Sequence, residues 1–142
     1  MNRLILGLSV VFLSVVVGCD SKPAVYEVSG KVTVKGQPAP ENSRVNFTPV
    51  GSDGEAASGI IDANGNYTLY SGIEGRKGAL TGKYKVSFTA DASSSDYMDG
   101  GRVGGVPGVV LGPFPKEFTS EFTTKLEKEV VKGRNVIDIE VP

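Results

Sequence analysis

The first residue whose chemistry needs an explanation is Cys19, the only cysteine in the 142-residue chain. A single thiol excludes an internal disulfide, and no cluster of metal ligands lies near it in the sequence. A nucleophilic cysteine usually needs an adjacent base, most often histidine, and the chain contains no histidine. The chemistry that remains is modification at the end of a targeting signal.

The residues before Cys19 have the layout of a secretory signal peptide. Residues 1–3 include a positive charge, and Leu4–Val17 is a predominantly apolar stretch of 14 residues. A helix needs about 20 residues to span a bilayer core, so this run predicts a signal peptide and not a transmembrane helix. The small residue Gly18 directly precedes Cys19, as expected at a cleavage site.

Val16–Cys19, with the sequence VVGC, resembles the lipobox of bacterial lipoproteins. The resemblance implies that the Cys19 thiol carries a diacylglyceryl group, that the chain is cut between Gly18 and Cys19, and that the new N-terminus is acylated, for example by palmitate. Residues 1–18 would be the signal peptide, and residues 19–26 a lipidated N-terminus and tether.

A chain modified in this way would be held by membrane lipid through the acylated Cys19, because two or more acyl chains anchor a protein firmly. The expected location is the bacterial cell envelope, facing the periplasm or the exterior. Two alternatives stay open: an uncleaved signal anchor, and a secreted protein with a chance cysteine.

Other residues that could bind ions or catalyse reactions have simpler interpretations. Several Asp and Asn side chains could suggest calcium, but their spacing does not match a calcium loop and these residue types are common in turns. Ser93–Ser95 lacks a histidine base, and Gly101–Gly108 lacks the lysine and serine of a phosphate loop. We therefore predict no metal, no cofactor, no catalytic residue and no enzymatic activity. The residues considered for calcium are Asp53, Asp62, Asn64, Asp91, Asp96 and Asp99.

Composition and hydrophobic patterning predict an all-β domain over residues 27–142. The formal net charge is −1, which gives no support for nucleic acid as a partner. The chain has 19 glycines and 8 prolines, and no segment has a convincing helical stripe. About seven strands predict an antiparallel β-sandwich, the architecture of immunoglobulin-like domains. The segments with strand character are Tyr26–Gly36, Ser43–Val50, Ala57–Tyr70 around an Asn64-Gly65 hairpin turn, Lys83–Asp91, and Leu126–Val141 with a turn at Lys132–Asn135.

Five segments carry a further resemblance: Val28–Pro40, Val45–Val50, Ile60–Leu69, Gly78–Phe88 and Lys116–Val141. In this order they resemble carboxypeptidase-regulatory-like, or transthyretin-like, domains, and the last resembles the closing segment of small bacterial lipoproteins in that group. The resemblance implies a seven-stranded prealbumin-like sandwich. One branch of that superfamily hydrolyses a purine-breakdown intermediate with histidines and an arginine. We do not expect that activity here, because this chain has no histidine and ends in IEVP, without that branch's terminal motif.

The long segment 92–125 has no convincing strand and is the best candidate for a functional surface, because irregular loops of this length are uncommon and often functional. Within it, Phe114–Phe122 could form one helical turn. Its apolar side chains could cover an open edge of the sandwich, or they could form a docking surface for a protein or a glycan. They are Tyr97, Met98, Val109, Val110, Leu111, Phe114 and Phe118.

These observations favour a membrane-anchored envelope lipoprotein whose β-sandwich is a non-enzymatic binding or structural module. An alternative is an accessory subunit of an envelope peptidase or transport complex. A third hypothesis, a free-standing hydrolase, would require carboxylates such as Asp96 and Asp99 to perform acid–base chemistry without a supporting motif.

Overall fold

The computed structural model describes residues 22–90 and 113–142, which form two β-sheets packed as a sandwich. Within these residues there are eleven strands, seven of them three residues or longer, and Lys116–Phe118 forms one 3₁₀ turn. The all-β prediction is therefore confirmed. The smaller sheet contains β1 (Val28–Val34), β2 (Gln37–Pro38), β5 (Asn66–Thr68), β10 (Asn135–Val136) and β11 (Ile139–Val141). The larger sheet contains β3 (Arg44–Pro49), β4 (Ala57–Ile60), β6 (Tyr70–Ser71), β7 (Arg76–Lys77), β8 (Gly82–Thr89) and β9 (Glu127–Val130).

The hydrophobic core lies between the two sheets, on the strand faces that the alternating sequence predicts. In β1, Val28 and Val32 are fully buried while Lys31 points to solvent, as expected for a strand with one face in the core. The same alternation holds in the larger sheet. It buries Val45 and Phe47 in β3, and Tyr84, Val86 and Phe88 in β8.

The smaller sheet is mixed, whereas the sequence pattern predicts antiparallel pairing throughout. β1 runs antiparallel to β2 and β5 but parallel to β10 and β11, with Val28 opposite Asn135 and Val32 opposite Ile139. Parallel neighbours need a long crossover connection, and here the whole larger sheet lies between the paired strands in the chain. Alternation identifies the buried face of a strand but does not give the direction of its neighbour, which is why this part of the prediction is wrong.

The Asn64-Gly65 turn forms, but it joins the two sheets and not two strands of one hairpin. Gly65 has a φ of 83°, and its N–H donates to the Asp62 carbonyl over 2.9 Å. The Asp62 carboxylate accepts bonds from the N–H groups of Asn66 and Asn64, each 2.8 Å long, and these hold the pKa of Asp62 below its usual value. Before the turn β4 pairs with β3 and β6, and after it β5 pairs with β1. The predicted hairpin is wrong, since the chemistry of a turn does not decide which sheet the next strand enters.

Tyr67 of β5 connects the core to the C-terminal strands. Its ring packs against Phe47 of the larger sheet, with centroids 6.2 Å apart, and its hydroxyl donates to the Ile137 carbonyl over 2.6 Å. Burial, assisted by the nearby Asp138 carboxylate, raises the pKa of Tyr67 above its usual value. The neutral phenol is therefore the form that the folded protein favours.

Stability is expected to fall as the pH rises above about 10, where tyrosine in the unfolded chain ionises while Tyr67 in the folded chain does not. In Tyr67→Phe this loss should become shallower, and at neutral pH the variant should be destabilised by about 1 kcal/mol because it lacks the hydrogen bond. Urea unfolding at several alkaline pH values measures both effects. A residual slope is expected from Tyr84, whose pKa burial also raises. Parallel curves for the two proteins would contradict the prediction.

Candidate functional site

An open cleft of about 730 Å³ on the outer face of the larger sheet is our candidate site. Its floor consists of short polar side chains that alternate with the core residues of β3, β4 and β8. One wall is the turn between β6 and β7, and the other is residues 119–122, which follow the 3₁₀ turn. The floor residues are Asn46, Thr48, Ser58, Ser87 and Thr89.

Each wall of the cleft carries a large apolar side chain that is exposed to solvent. Ile73, in the turn between β6 and β7, is fully exposed, and Phe122 on the other wall is 87% exposed. Tyr70 is half-exposed and lies where this cleft adjoins a second one of about 460 Å³. Exposed apolar groups that cluster around a concave surface typically mark an interaction site.

The polar groups of the cleft are largely engaged with one another. Glu55 forms an ion pair with Arg76 over 2.6 Å, and the Thr48 hydroxyl donates to the Glu121 carboxylate over 3.0 Å. These bonds place both carboxylates against the walls. Gly72, which lies beside the Glu55 carboxylate, has a φ of 67°, a backbone conformation that favours glycine. The cleft therefore presents hydroxyl and amide groups more than unpaired charge.

The N-terminal end of the described chain is bound along the edge of the larger sheet. Tyr26 and Ala79 exchange two backbone hydrogen bonds of 2.8 and 3.0 Å, and Arg76 donates to the Pro23 carbonyl over 2.8 Å. The sequence predicts residues 19–26 as a tether outside the domain. In the structure the last part of this segment, residues 22–26, lies against the sandwich.

Lys22 lies close to the wall that carries Ile73. Its ammonium donates to the Glu74 carboxylate over 2.6 Å, and this hydrogen bond holds the pKa of Glu74 below its usual value. Both side chains are more than half exposed, so the pair adds little to stability. Its significance is positional: Glu74 directly follows Ile73, so the chain enters the domain beside this wall of the cleft.

Two residues of the predicted partner surface pack on the core. Phe114 is only 3% exposed, and its ring stacks on Phe88 with centroids 4.7 Å apart and an interplanar angle of 7°. Phe118 is partly buried against the same core. The structure therefore contradicts a partner-docking role for Phe114 and agrees with the alternative, in which apolar residues of this segment cover the sandwich.

The remaining predicted positions fall into two groups. Asp53, Asp62 and Asn64 lie in or beside turns, and residues 22–90 and 113–142 contain no group of three or more metal-ligating side chains. Across these same ranges, no helix is long and apolar enough to cross a membrane. The positions outside the described residues are Gly18, Cys19, Asp91, Ser93–Ser95, Asp96, Tyr97, Met98, Asp99, Gly101–Gly108, Val109, Val110 and Leu111.

The sequence interpretation missed the residues that define the cleft. Ile73 did carry a signal, because a lone large apolar residue in the glycine-rich stretch SGIEG has no core-facing strand to explain it. Phe122 lies in the same segment as Phe114, which is buried in the core, and Phe118, which packs partly buried against it. That the two share one cleft depends on the fold, since about fifty residues of chain separate them.

Comparisons with known proteins give one structural neighbour. No protein-family model matches the chain, and no curated protein matches it. Among solved structures, the chain is similar to a DUF3823 family protein from Parabacteroides merdae, with 16% sequence identity and a TM-score of 0.47. The match covers 84% of this chain and 47% of the other, so this chain spans about half the length of its neighbour.

Proposed function

We propose that this protein is a lipid-anchored component of the bacterial cell envelope whose β-sandwich is a non-enzymatic binding module. The observation that carries the proposal is the sequence from Leu4 to Cys19, in which an apolar run too short to span a bilayer ends at a small residue and the only cysteine. Acylation of that thiol would hold the sandwich at a membrane surface.

A binding role, and not a catalytic one, is supported by the chemistry of the cleft. Its floor offers the amide of Asn46 and several hydroxyls, while the carboxylates of Glu55 and Glu121 are engaged with Arg76 and Thr48. Acid–base catalysis near neutral pH most often uses histidine, and the chain has none. Concave surfaces with exposed apolar walls and a polar floor are instead typical of recognition.

We further propose that the sandwich is of the transthyretin-like, or carboxypeptidase-regulatory-like, type. The support is the agreement between the resembling sequence segments and the observed strands. Val28–Pro40 contains β1 and β2, Val45–Val50 overlaps most of β3, and Gly78–Phe88 overlaps most of β8. The last segment, Lys116–Val141, contains β9, β10 and β11.

The direct test is mass spectrometry of the protein purified from membranes of its native host. We expect the N-terminal peptide to begin at Cys19 and to carry the mass of a diacylglyceryl group, with or without an additional acyl chain. A protein that begins at Met1, or one whose Cys19 sulfur is unmodified, would refute the anchor. Calorimetric titration with glycan and peptide panels then examines the binding role of the cleft.

A further inference from the structure

We propose that the surface which the cleft recognises is the lipid bilayer itself, with the side chains of Ile73 and Phe122 inserted at the membrane interface. This inference rests on the proposed acylation of Cys19. It deepens that proposal, because it assigns the sandwich a fixed orientation on the membrane and names the contact surface.

The first argument is the length of chain between the anchor and the domain. Three residue steps separate Cys19 from Lys22, and an extended chain covers at most about 11 Å in that number of steps. Lys22 is hydrogen-bonded to Glu74, the neighbour of Ile73 in the turn between β6 and β7. An acylated Cys19 at the headgroup level would therefore bring this turn close to the bilayer surface.

The second argument is the exposure of the two apolar side chains. Of the large apolar residues in the described ranges, Ile73 and Phe122 are the most exposed, and they occupy the two walls of the same cleft. Amphipathic surface proteins bury apolar groups about 5–10 Å deep, at the boundary between headgroups and acyl chains. Two protruding side chains can reach that depth without submerging the sheet behind them.

The third argument is the polarity of the surface between the two walls. The floor of the cleft carries hydroxyl and amide groups, which can hydrogen-bond to the ester and phosphate oxygens of phospholipid headgroups. Of the two carboxylates that line the cleft, Glu55 is paired with Arg76, whereas Glu121 accepts a hydrogen bond from the Thr48 hydroxyl and keeps its charge, so the inference applies to neutral, zwitterionic lipid. Apolar walls around a neutral polar floor match the layered chemistry of a bilayer interface.

The test uses tryptophan as a depth reporter, because the chain has no tryptophan of its own. Ile73→Trp and Phe122→Trp report on the two walls, and Val136→Trp is the matched control, since Val136 is 67% exposed but lies in the smaller sheet. Each full-length, acylated protein is reconstituted into phosphatidylcholine vesicles with and without brominated acyl chains, which quench only nearby indoles. Unfolding curves in detergent verify that the exposed substitutions leave the fold intact.

We expect at least about twofold quenching at positions 73 and 122, and emission at position 136 that is unchanged by bromination. The bilayer inference would be overturned if bromination left the emission at positions 73 and 122 unchanged, as at position 136, in a protein that mass spectrometry shows to be acylated. The proposed anchor would still stand. That result would also be expected if a protein or a glycan were the partner of the cleft. A protein without acyl groups on Cys19 would refute both proposals.

Discussion

Replacing Gly30 with alanine is expected to destabilise the domain by about 3 kcal/mol, the sum of an overpacking cost and a lost hydrogen bond. Gly30 lies in the middle of β1, and a Cβ at this position would overlap the carbonyl oxygen of Ile137 and lie 2.6 Å from its carbonyl carbon. The obstacle is backbone, so rotation of a side chain cannot relieve it. The connection between β10 and β11 would have to move.

That movement would also break the bond from the Tyr67 hydroxyl to the Ile137 carbonyl, which is 2.6 Å long. Gly30→Ala and Tyr67→Phe therefore remove the same contact, and we expect the double variant to be less destabilised than the sum of the two single variants. Strict additivity in urea unfolding would mean that the carbonyl of Ile137 does not connect the two sites.

The matched control for this prediction is Gly51→Ala, in a loop where an added Cβ would meet no atom within 4 Å. Its free energy of unfolding should stay within about 0.5 kcal/mol of the parent value. A similar loss of stability in both variants would show that the effect belongs to glycine replacement in general. A Gly30→Ala protein as stable as the parent would show that the backbone at Ile137 can move away from β1 without a cost in stability.

The faces of the strands could be predicted from the sequence because they depend on local alternation. Val28 and Val32 in β1 and Phe47 in β3 are buried as the period-two pattern indicates, and a one-residue slip would have placed them in solvent. The position of the Asn64-Gly65 turn was equally readable, since it follows from residues that tolerate unusual backbone angles. These features are decided by neighbours in the chain.

The pairing of the strands could not be read in the same way, because it depends on contacts between distant parts of the chain. Nothing in the local pattern near Gly65 indicates that β5 leaves the larger sheet, or that β1 is flanked by parallel strands from the C-terminus. Phe114 presents the same difficulty. In the sequence it lies in an irregular segment, and only the fold shows that its ring stacks on Phe88.

The candidate site depends on both kinds of information. The proposed lipidation of Cys19 is predicted from the sequence alone, because the prediction depends only on the adjacent apolar run. The cleft cannot, because its walls come from the turn that carries Ile73 and the distant segment that carries Phe122. The sequence therefore predicts an anchor at Cys19, and the fold shows that Lys22, three residues later, is hydrogen-bonded to Glu74 in the turn that carries Ile73.

The prediction with the largest expected effect is that Cys19→Ser abolishes incorporation of labelled palmitate in the native host. The chain has no second thiol to replace Cys19, and a serine hydroxyl is a much weaker nucleophile. Because the described fold begins at Lys22, its free energy of unfolding should remain within about 0.5 kcal/mol of the parent value. Ser21→Ala, two residues away, is the control and should take up label normally. Label that persists in Cys19→Ser would place the acyl group elsewhere.

The same substitution separates the contribution of the anchor from that of the two apolar side chains. One or two small apolar groups bind a bilayer weakly, whereas an acyl chain holds them at a high effective concentration near it. We therefore expect Ile73→Trp to lose its quenching by brominated lipid when it is combined with Cys19→Ser. Quenching that survives without the acyl chains would mean that the cleft binds bilayers unaided. The acyl group on Cys19 would then strengthen membrane binding without being required for it.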